Sequence, residues 1–195
     1  GWFKMVTKKI AVLFSGSGTN LEAILQKLHG KIFGDIKIEV AMTLTNKPDA
    51  GGIVKAAKYG LTSVVIDNKK FASREEFDAA LVDEIKKYDV DLVVLAGFMR
   101  ILTPIFTENL RAINLHPAIL PLFKGAHAIE ESYKSDMQVG GITVHWVSAE
   151  LDGGKIIAQK TFSRKNRTFE EWEAKIHKLE HKLLPKTIVE ILKKD

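Results

Sequence analysis

Three short segments hold residue types that can do chemistry. Asn114-Leu115-His116-Pro117 sets a neutral amide two positions from an imidazole, so in an extended chain both side chains share one face. An amide donor beside an imidazole can stabilise an oxyanion. Taken alone, the segment reads more simply as a structural histidine and a turn asparagine before proline. Glu150-Leu151-Asp152-Gly153-Gly154 supplies a carboxylate. As a partner, Asp152 would orient the His116 ring and favour its charged form. On its own, Asp-Gly-Gly reads first as a hairpin turn. The third segment, Ser15-Gly16-Ser17-Gly18-Thr19-Asn20, stands between an apolar run and a helical pattern. Its glycines let backbone approach a ligand, and the first N–H groups of the helix favour an anion. A dinucleotide fingerprint would need glycine where Leu21 stands and an acidic residue where Thr45, Asn46 and Lys47 occur. A single phosphate is therefore preferred over NAD. A tight turn capped by Thr19, with Glu22 completing a capping box, fits equally well.

Other candidates are weaker. His145 in GITVHWV reads as core or cleft, with core favoured. Arg100, after Gly97-Phe98-Met99, belongs to a ligand edge or a surface loop. The lysine pairs at 69–70, 86–87 and 193–194 read as solvated faces. Six histidines without HExxH or similar spacing lead us to expect no metal.

To position these residues the chain alternates short apolar runs with amphipathic stretches, the pattern of a parallel sheet with crossover helices. Strands are predicted at residues 10–14, 36–44, 63–66, 92–96 and 113–115. Helices are predicted at 20–28, 51–59, 73–87 (opened by a Ser73/Glu76 capping box) and 103–109. His116 would then lie just past a strand end, on the sheet edge where the glycine loop also lies. After it, Pro117 and Pro121 break regular structure, and 126–134 reads as helix. Residues 141–147 and 155–162 alternate as an antiparallel pair. Thr168 with Glu171 caps a long helix that Pro185 is expected to break or kink before it resumes to Leu192. The fold class is α/β: a doubly wound, Rossmann-like, mostly parallel sheet with an antiparallel carboxy-terminal extension.

At 195 residues the chain suits one domain, given about 150 residues per domain. With 46% hydrophobic and 27% charged residues it is not a disordered chain. A net charge of +5 is mild, and suits phosphorylated small molecules as well as polynucleotides. The absence of cysteine excludes disulfides, thiolate metal sites and a cysteine nucleophile, and suits a reducing compartment. The longest apolar stretches, such as 90–98, fall far short of the ~20 residues that span a bilayer. Residues 10–14 are too short for a signal-peptide core. Residues 1–4, ahead of Met5, read as an added leader without structural weight.

Together, SGSGTNLEAIL, LAGFMRIL, NLHPAILPLFKGAHA and ELDGGKIIAQ, in this order and spacing, closely resemble the phosphoribosylglycinamide formyltransferase family. The likeness runs from about Lys8 to Lys194, and the Ser-Gly-x-Gly-Thr-Asn loop points to that member among formyltransferases. The resemblance implies a single domain over 8–195, with a phosphate-binding parallel half (8–116) and a folate-side mixed half (117–195). It implies formyl transfer from 10-formyltetrahydrofolate, as co-substrate, to the amine of glycinamide ribonucleotide in purine synthesis. Asn114, His116 and Asp152 match the catalytic trio. Gly18, Thr19 and Asn20 match the phosphate loop, and Glu180 the ribose-holding acid. Met99, Arg100, Ile101, Leu102, Asn114, Ser148, Ala149, Glu150, Leu151 and Asp152 match the folate-pocket lining, and Arg74 a further folate contact. Ala118 departs from the usual Ser after His-Pro, which removes one hydroxyl that would fix the loop.

The resemblance further implies a cytoplasmic enzyme, monomer or homodimer, acting on small molecules without metal, nucleic acid or membrane. The alternatives are another folate-dependent formyl transferase or a formyltetrahydrofolate hydrolase. A methionyl-tRNA formyltransferase would need a further tRNA-binding domain. A nucleotide-binding module without catalysis would explain the glycine loop but leave Asn114, His116 and Asp152 as coincidence.

Overall fold

The computed structural model describes residues 4–195. One eight-stranded sheet runs β2-β3-β1-β5-β6-β7-β8, with β4 paired to β3. Its parallel centre is β3 (Ile36–Thr45), β1 (Val6–Phe14), β5 (Leu92–Leu95) and β6 (Ala112–His116). Then β7 (Val139–Trp146) and β8 (Ile156–Ser163) add antiparallel strands at the carboxy-terminal side. Chain order reverses direction across the sheet at β1, between β3 and β5, which is the crevice where ligands of such folds bind. The antiparallel edge strand β2 (Lys31–Phe33) and the two-residue β4 (Val64–Val65) complete the sheet.

The two-residue period of each strand divides the core. Ile10, Val12 and Phe14 of β1 face a cluster with Leu21, Ile24 and Leu25 of α1 (Thr19–Leu28) and Trp172, Ile176 and Ile188 of α6 (Phe169–Lys194). Ala11 and Leu13 face the opposite cluster, with Phe77, Leu81 and Ile85 of α3 (Arg74–Lys86) and Phe106 of α4 (Pro104–Thr107). Short α2 (Gly52–Ala57) and α5 (Ala128–Lys134) complete the α-helices among the described residues.

Several elements depart from expectation. Strand β2 escapes the sequence because three residues of an exposed edge carry no usable pattern. Helices α2 and α4 are shorter than predicted, and the 63–66 strand shrinks to β4. At α3, Ser73 Oγ accepts from Glu76 N–H, but Glu76 reaches back to Ala72 N–H instead of its own cap residue. At α6 the Thr168/Glu171 box is complete on both sides.

Pro185 neither breaks nor visibly interrupts α6, which runs through it for 26 residues. Proline removes the N–H that would bond the carbonyl four residues earlier, here His181. Lys27 of α1 fills the gap: its Nζ donates to the His181 carbonyl at 2.6 Å. Lys27→Met should lower unfolding free energy by about 1 kcal/mol, the scale of one hydrogen bond. In a Pro185→Ala background, where the restored N–H takes over that carbonyl, the same change should cost much less. Urea titration of the two single variants and the double variant measures the difference.

Candidate active site

Strand β6 places Asn114 and His116 on the face of Ala112, opposite the face of Ile113 and Leu115. His116 is the last residue of that strand, not just beyond it. Antiparallel pairing sets His145 of β7 directly across from Asn114, and Thr143 across from His116. Directly opposed residues project to the same face. His145 is therefore both things the sequence allowed: it is 3% exposed, and it walls a cavity with Asn114 and His116. Its ligand-side role was visible only through the β6–β7 register, which a single strand pattern does not encode.

The cavity, of about 390 Å³, opens at the carboxyl ends of β5 and β6. Met99, Arg100, Ile101 and Leu102 form one wall, and Ser148, Ala149, Glu150, Leu151 and Asp152 another. It draws on segments from both sides of residue 116. The β7–β8 connection is a turn and a carboxylate carrier at once. Gly153 N–H bonds the Glu150 carbonyl, and Asp152 sits at φ 51° with its side chain turned inward. At Gly154 a Cβ would stand 1.7 Å from the Trp146 carbonyl oxygen, so no side chain fits the turn that aims Asp152.

Asp152 lies between two imidazoles. Its Oδ2 is 3.6 Å from His116 Nδ1 and its Oδ1 is 3.8 Å from His145 Nε2. Both separations exceed a hydrogen bond but allow strong charge interaction. Oδ2 also accepts from Gly125 N–H at 2.9 Å. His116 Nε2–H donates to the Phe123 carbonyl at 2.7 Å. The loop after β6 is thus held from two sides, by the imidazole at Phe123 and the carboxylate at Gly125. Thr143 anchors its start: the hydroxyl donates to the Ala118 carbonyl at 2.8 Å and accepts from Leu120 N–H at 3.1 Å. Gln159 Nε2 adds a bond to the Leu120 carbonyl. These bonds fix the segment without a hydroxyl at residue 118, where the buried Ala118 leaves 1% exposure.

Asn114 Nδ2–H donates to His145 Nε2 at 3.2 Å, while His145 Nδ1 meets the Trp146 carbonyl at 2.9 Å. A carbonyl only accepts, so His145 carries its proton on Nδ1 and is neutral. Burial pushes its pKa below the ordinary 6.5, against the Trp146 bond and the Asp152 charge, which raise it. Asn114 keeps a second amide N–H for a ligand.

The glycine loop lies apart from this cavity, whose lining includes none of Gly18, Thr19 or Asn20. Gly18, not Thr19, is the N-cap, at φ 73° and without a side-chain capping bond. A Cβ there would stand 2.6 Å from Gly52 Cα, so the close packing of α2 on the loop demands glycine. With no side chain consuming them, the first N–H groups of α1 are available to an anion. Asn20 Oδ1 is buried without a partner among the described residues. Glu180, on α6, is 5% exposed and meets His177 Nδ1 at 2.7 Å. That carboxylate raises the His177 pKa. Arg74 is exposed at the start of α3 and is not part of the cavity wall.

Two features had no sequence signal. Ser15 Oγ donates to Asn46 Oδ1 at 2.6 Å and accepts from Met99 N–H at 2.8 Å, joining the glycine loop to the cavity wall. Asn46 in turn bonds Asn68. Among the described residues no group of three or more His, Cys, Asp or Glu side chains could hold a metal ion, and no helix is long and apolar enough to cross a membrane.

Comparison with known proteins identifies the family. Residues 8–188 match the family model described as formyl transferase. The chain is similar to the crystal structure of phosphoribosylglycinamide formyltransferase from Campylobacter jejuni. The identity is 59% and the TM-score 0.96, covering 97% of this chain and all of that one (100%). It is 39% identical to the Haemophilus influenzae phosphoribosylglycinamide formyltransferase over 93% of this chain and 85% of that protein. It is also 40% identical to a Chironomus tentans protein, trifunctional purine biosynthetic protein adenosine-3, of whose length it spans only 13%.

Below about pH 6.5 the unfolded chain protonates His145 while the folded chain does not, so stability falls with acidification through this ring. Side-chain nitrogen NMR at pH 6.5 should show residue 145 as the neutral Nδ1–H tautomer. His145→Phe should reduce the loss of unfolding free energy between about pH 7 and 5.

Proposed function

The chain belongs to the formyl transferase family, among the phosphoribosylglycinamide formyltransferases, and from that membership we propose that it moves the formyl group of 10-formyltetrahydrofolate to the amine of glycinamide ribonucleotide in de novo purine biosynthesis. The observation that carries this reading is the convergence of Asn114, His116 and Asp152, remote in sequence, on one cavity at the sheet's ligand edge. A volume near 390 Å³ lies in the usual range for small-molecule sites. Backbone N–H groups of Arg100, Ile101 and Leu102 have no acceptor among the described residues, and Met99, Ile101 and Leu151 expose apolar surface beside them. A flat heterocycle with polar edges suits such a wall, which is where the pterin is placed.

The amine attacks the formyl carbon in its neutral form, and negative charge develops on the formyl oxygen. Asn114 donates its free amide N–H to that oxygen. His116 donates as well, so its Nε2–H must exchange the Phe123 carbonyl for the substrate, and residues 117–125 open as substrate enters. Asp152 faces the His116 ring from its Nδ1 side, at 3.6 Å. It also orders a water that carries the proton from the attacking amine to the departing nitrogen. His145 keeps the Asn114 amide turned to the site. No covalent enzyme intermediate is needed, since the amine is the nucleophile.

The Gly18–Thr19–Asn20 turn binds the phosphate, and Glu180 leaves His177 to bond the ribose. That remote binding energy aligns the two substrates. Residues 8–116 carry the phosphate half and 117–195 the folate half, with residues 99–102 contributed across the divide. Ser148, Ala149 and Glu150 line the folate side, and Arg74 meets its far end. A cytoplasmic setting, as a monomer or homodimer, accords with a cysteine-free chain acting on small metabolites.

Mixing the protein with 10-formyltetrahydrofolate and glycinamide ribonucleotide should give formylated ribonucleotide. Formate release without the ribonucleotide would instead make water the acceptor. His116→Ala should lower kcat by roughly a hundredfold or more, the loss typical of one oxyanion donor at about 3 kcal/mol, with ribonucleotide binding retained. Asp152→Asn should lower kcat in the same assay.

A further inference from the structure

Residues 99–102, the wall opposite the Asp152 turn, have no regular secondary structure. Ser15 holds one end through Met99 N–H. The other end is held by a carboxylate that the mechanism does not use. Asp78, in the second turn of α3, is 0% exposed, and its Oδ2 accepts both from Thr103 N–H at 2.6 Å and from Thr103 Oγ–H at 2.7 Å. Its Oδ1 is buried with no partner among the described residues. The neighbouring Phe77 ring lies 5.5 Å beneath the Arg100 guanidinium. One turn of α3 therefore grips both Arg100 and Thr103.

Packing does not require this arrangement. Phe77, Leu81 and Ile85 bury the same helix face with apolar side chains, and a carboxylate among them is costly unless it is bonded. Burial indeed raises the Asp78 pKa against the bonds from Thr103 that lower it. What a carboxylate does that an aliphatic side chain would not is seize two donors of one residue with charge-assisted bonds. Thr103 is the residue immediately after the unpaired backbone N–H groups of Arg100, Ile101 and Leu102.

We propose that Asp78 is a positioning residue for the formyl donor: by clamping Thr103 it holds the backbone of residues 99–102 preformed for a planar heterocycle. The proposal rests on the formyl-transfer reading above. Preorganisation of a binding wall lowers the entropy lost when the ligand docks, so the clamp acts on donor affinity more than on the chemical step.

The test compares steady-state kinetics of the full chain with D78N, T103V and T103S. D78N removes the charge, T103V one of the two bonds, and T103S keeps both. In D78N and T103V the KM for 10-formyltetrahydrofolate should rise about tenfold, with kcat within about threefold and ribonucleotide KM within about twofold. T103S should match the parent protein. Deuterium uptake of a peptide spanning 99–103 should increase in D78N and T103V. If D78N does not fold, T103V against T103S decides by the same criteria. A donor KM unchanged within about twofold, or a fall in kcat alone, overturns the proposal. A parent protein that turns over while these variants keep its donor KM sinks the clamp only. A folded parent protein without transferase activity sinks the formyl-transfer reading and the clamp with it.

Discussion

The site depends on a buried carboxylate held between two imidazoles. Asp152 approaches His116 and His145 to within 4 Å, at 3.6 and 3.8 Å, and its side chain is 8% exposed. A charge so placed is tolerable only with partners on every side. Sheet pairing supplies them: β6 presents Asn114 and His116 on one face, and β7 sets His145 opposite Asn114. The Gly125 N–H closes the remaining side. Burial holds His145 toward its neutral form, and the bonds to the Trp146 carbonyl and the Asn114 amide fix which nitrogen carries its proton.

The sheet also explains why two ligand regions can coexist without merging. The glycine loop leaves β1 and the cavity wall leaves β5, neighbouring parallel strands whose ends lie side by side. Ser15 N–H bonds the Gly97 carbonyl, which fixes their spacing. Helices α1 and α6 pack together on one face of the sheet, while α3 and α4 back the opposite face. Two-substrate chemistry, as proposed above, fits this layout.

Much of this was legible in the residues. The central strands, the Ser73 cap, the Thr168 capping box and the antiparallel carboxy-terminal pair follow from apolar period and cap chemistry. Asn114, His116 and Asp152 were legible as types, and their meeting followed from the family resemblance rather than from pattern, since it depends on the β6–β7 register and on a turn in which Gly154 admits no Cβ. His145 leaned to the core because alternation alone cannot say that the far face of β7 borders a cavity. Pro185 misled, because the Lys27 amine that satisfies the freed His181 carbonyl lies 154 residues away. Strand β2 was too short to leave a pattern, and Asp78 sat unnoticed because a lone acid within an amphipathic helix looks like a solvated one.

The Ser15 hydroxyl is bonded at once to Asn46 and Met99 N–H. One small group is shared by the glycine loop and the cavity wall, so a displacement of either strains a bond to the other. The joint therefore ties the glycine loop to the cavity wall through a single hydroxyl.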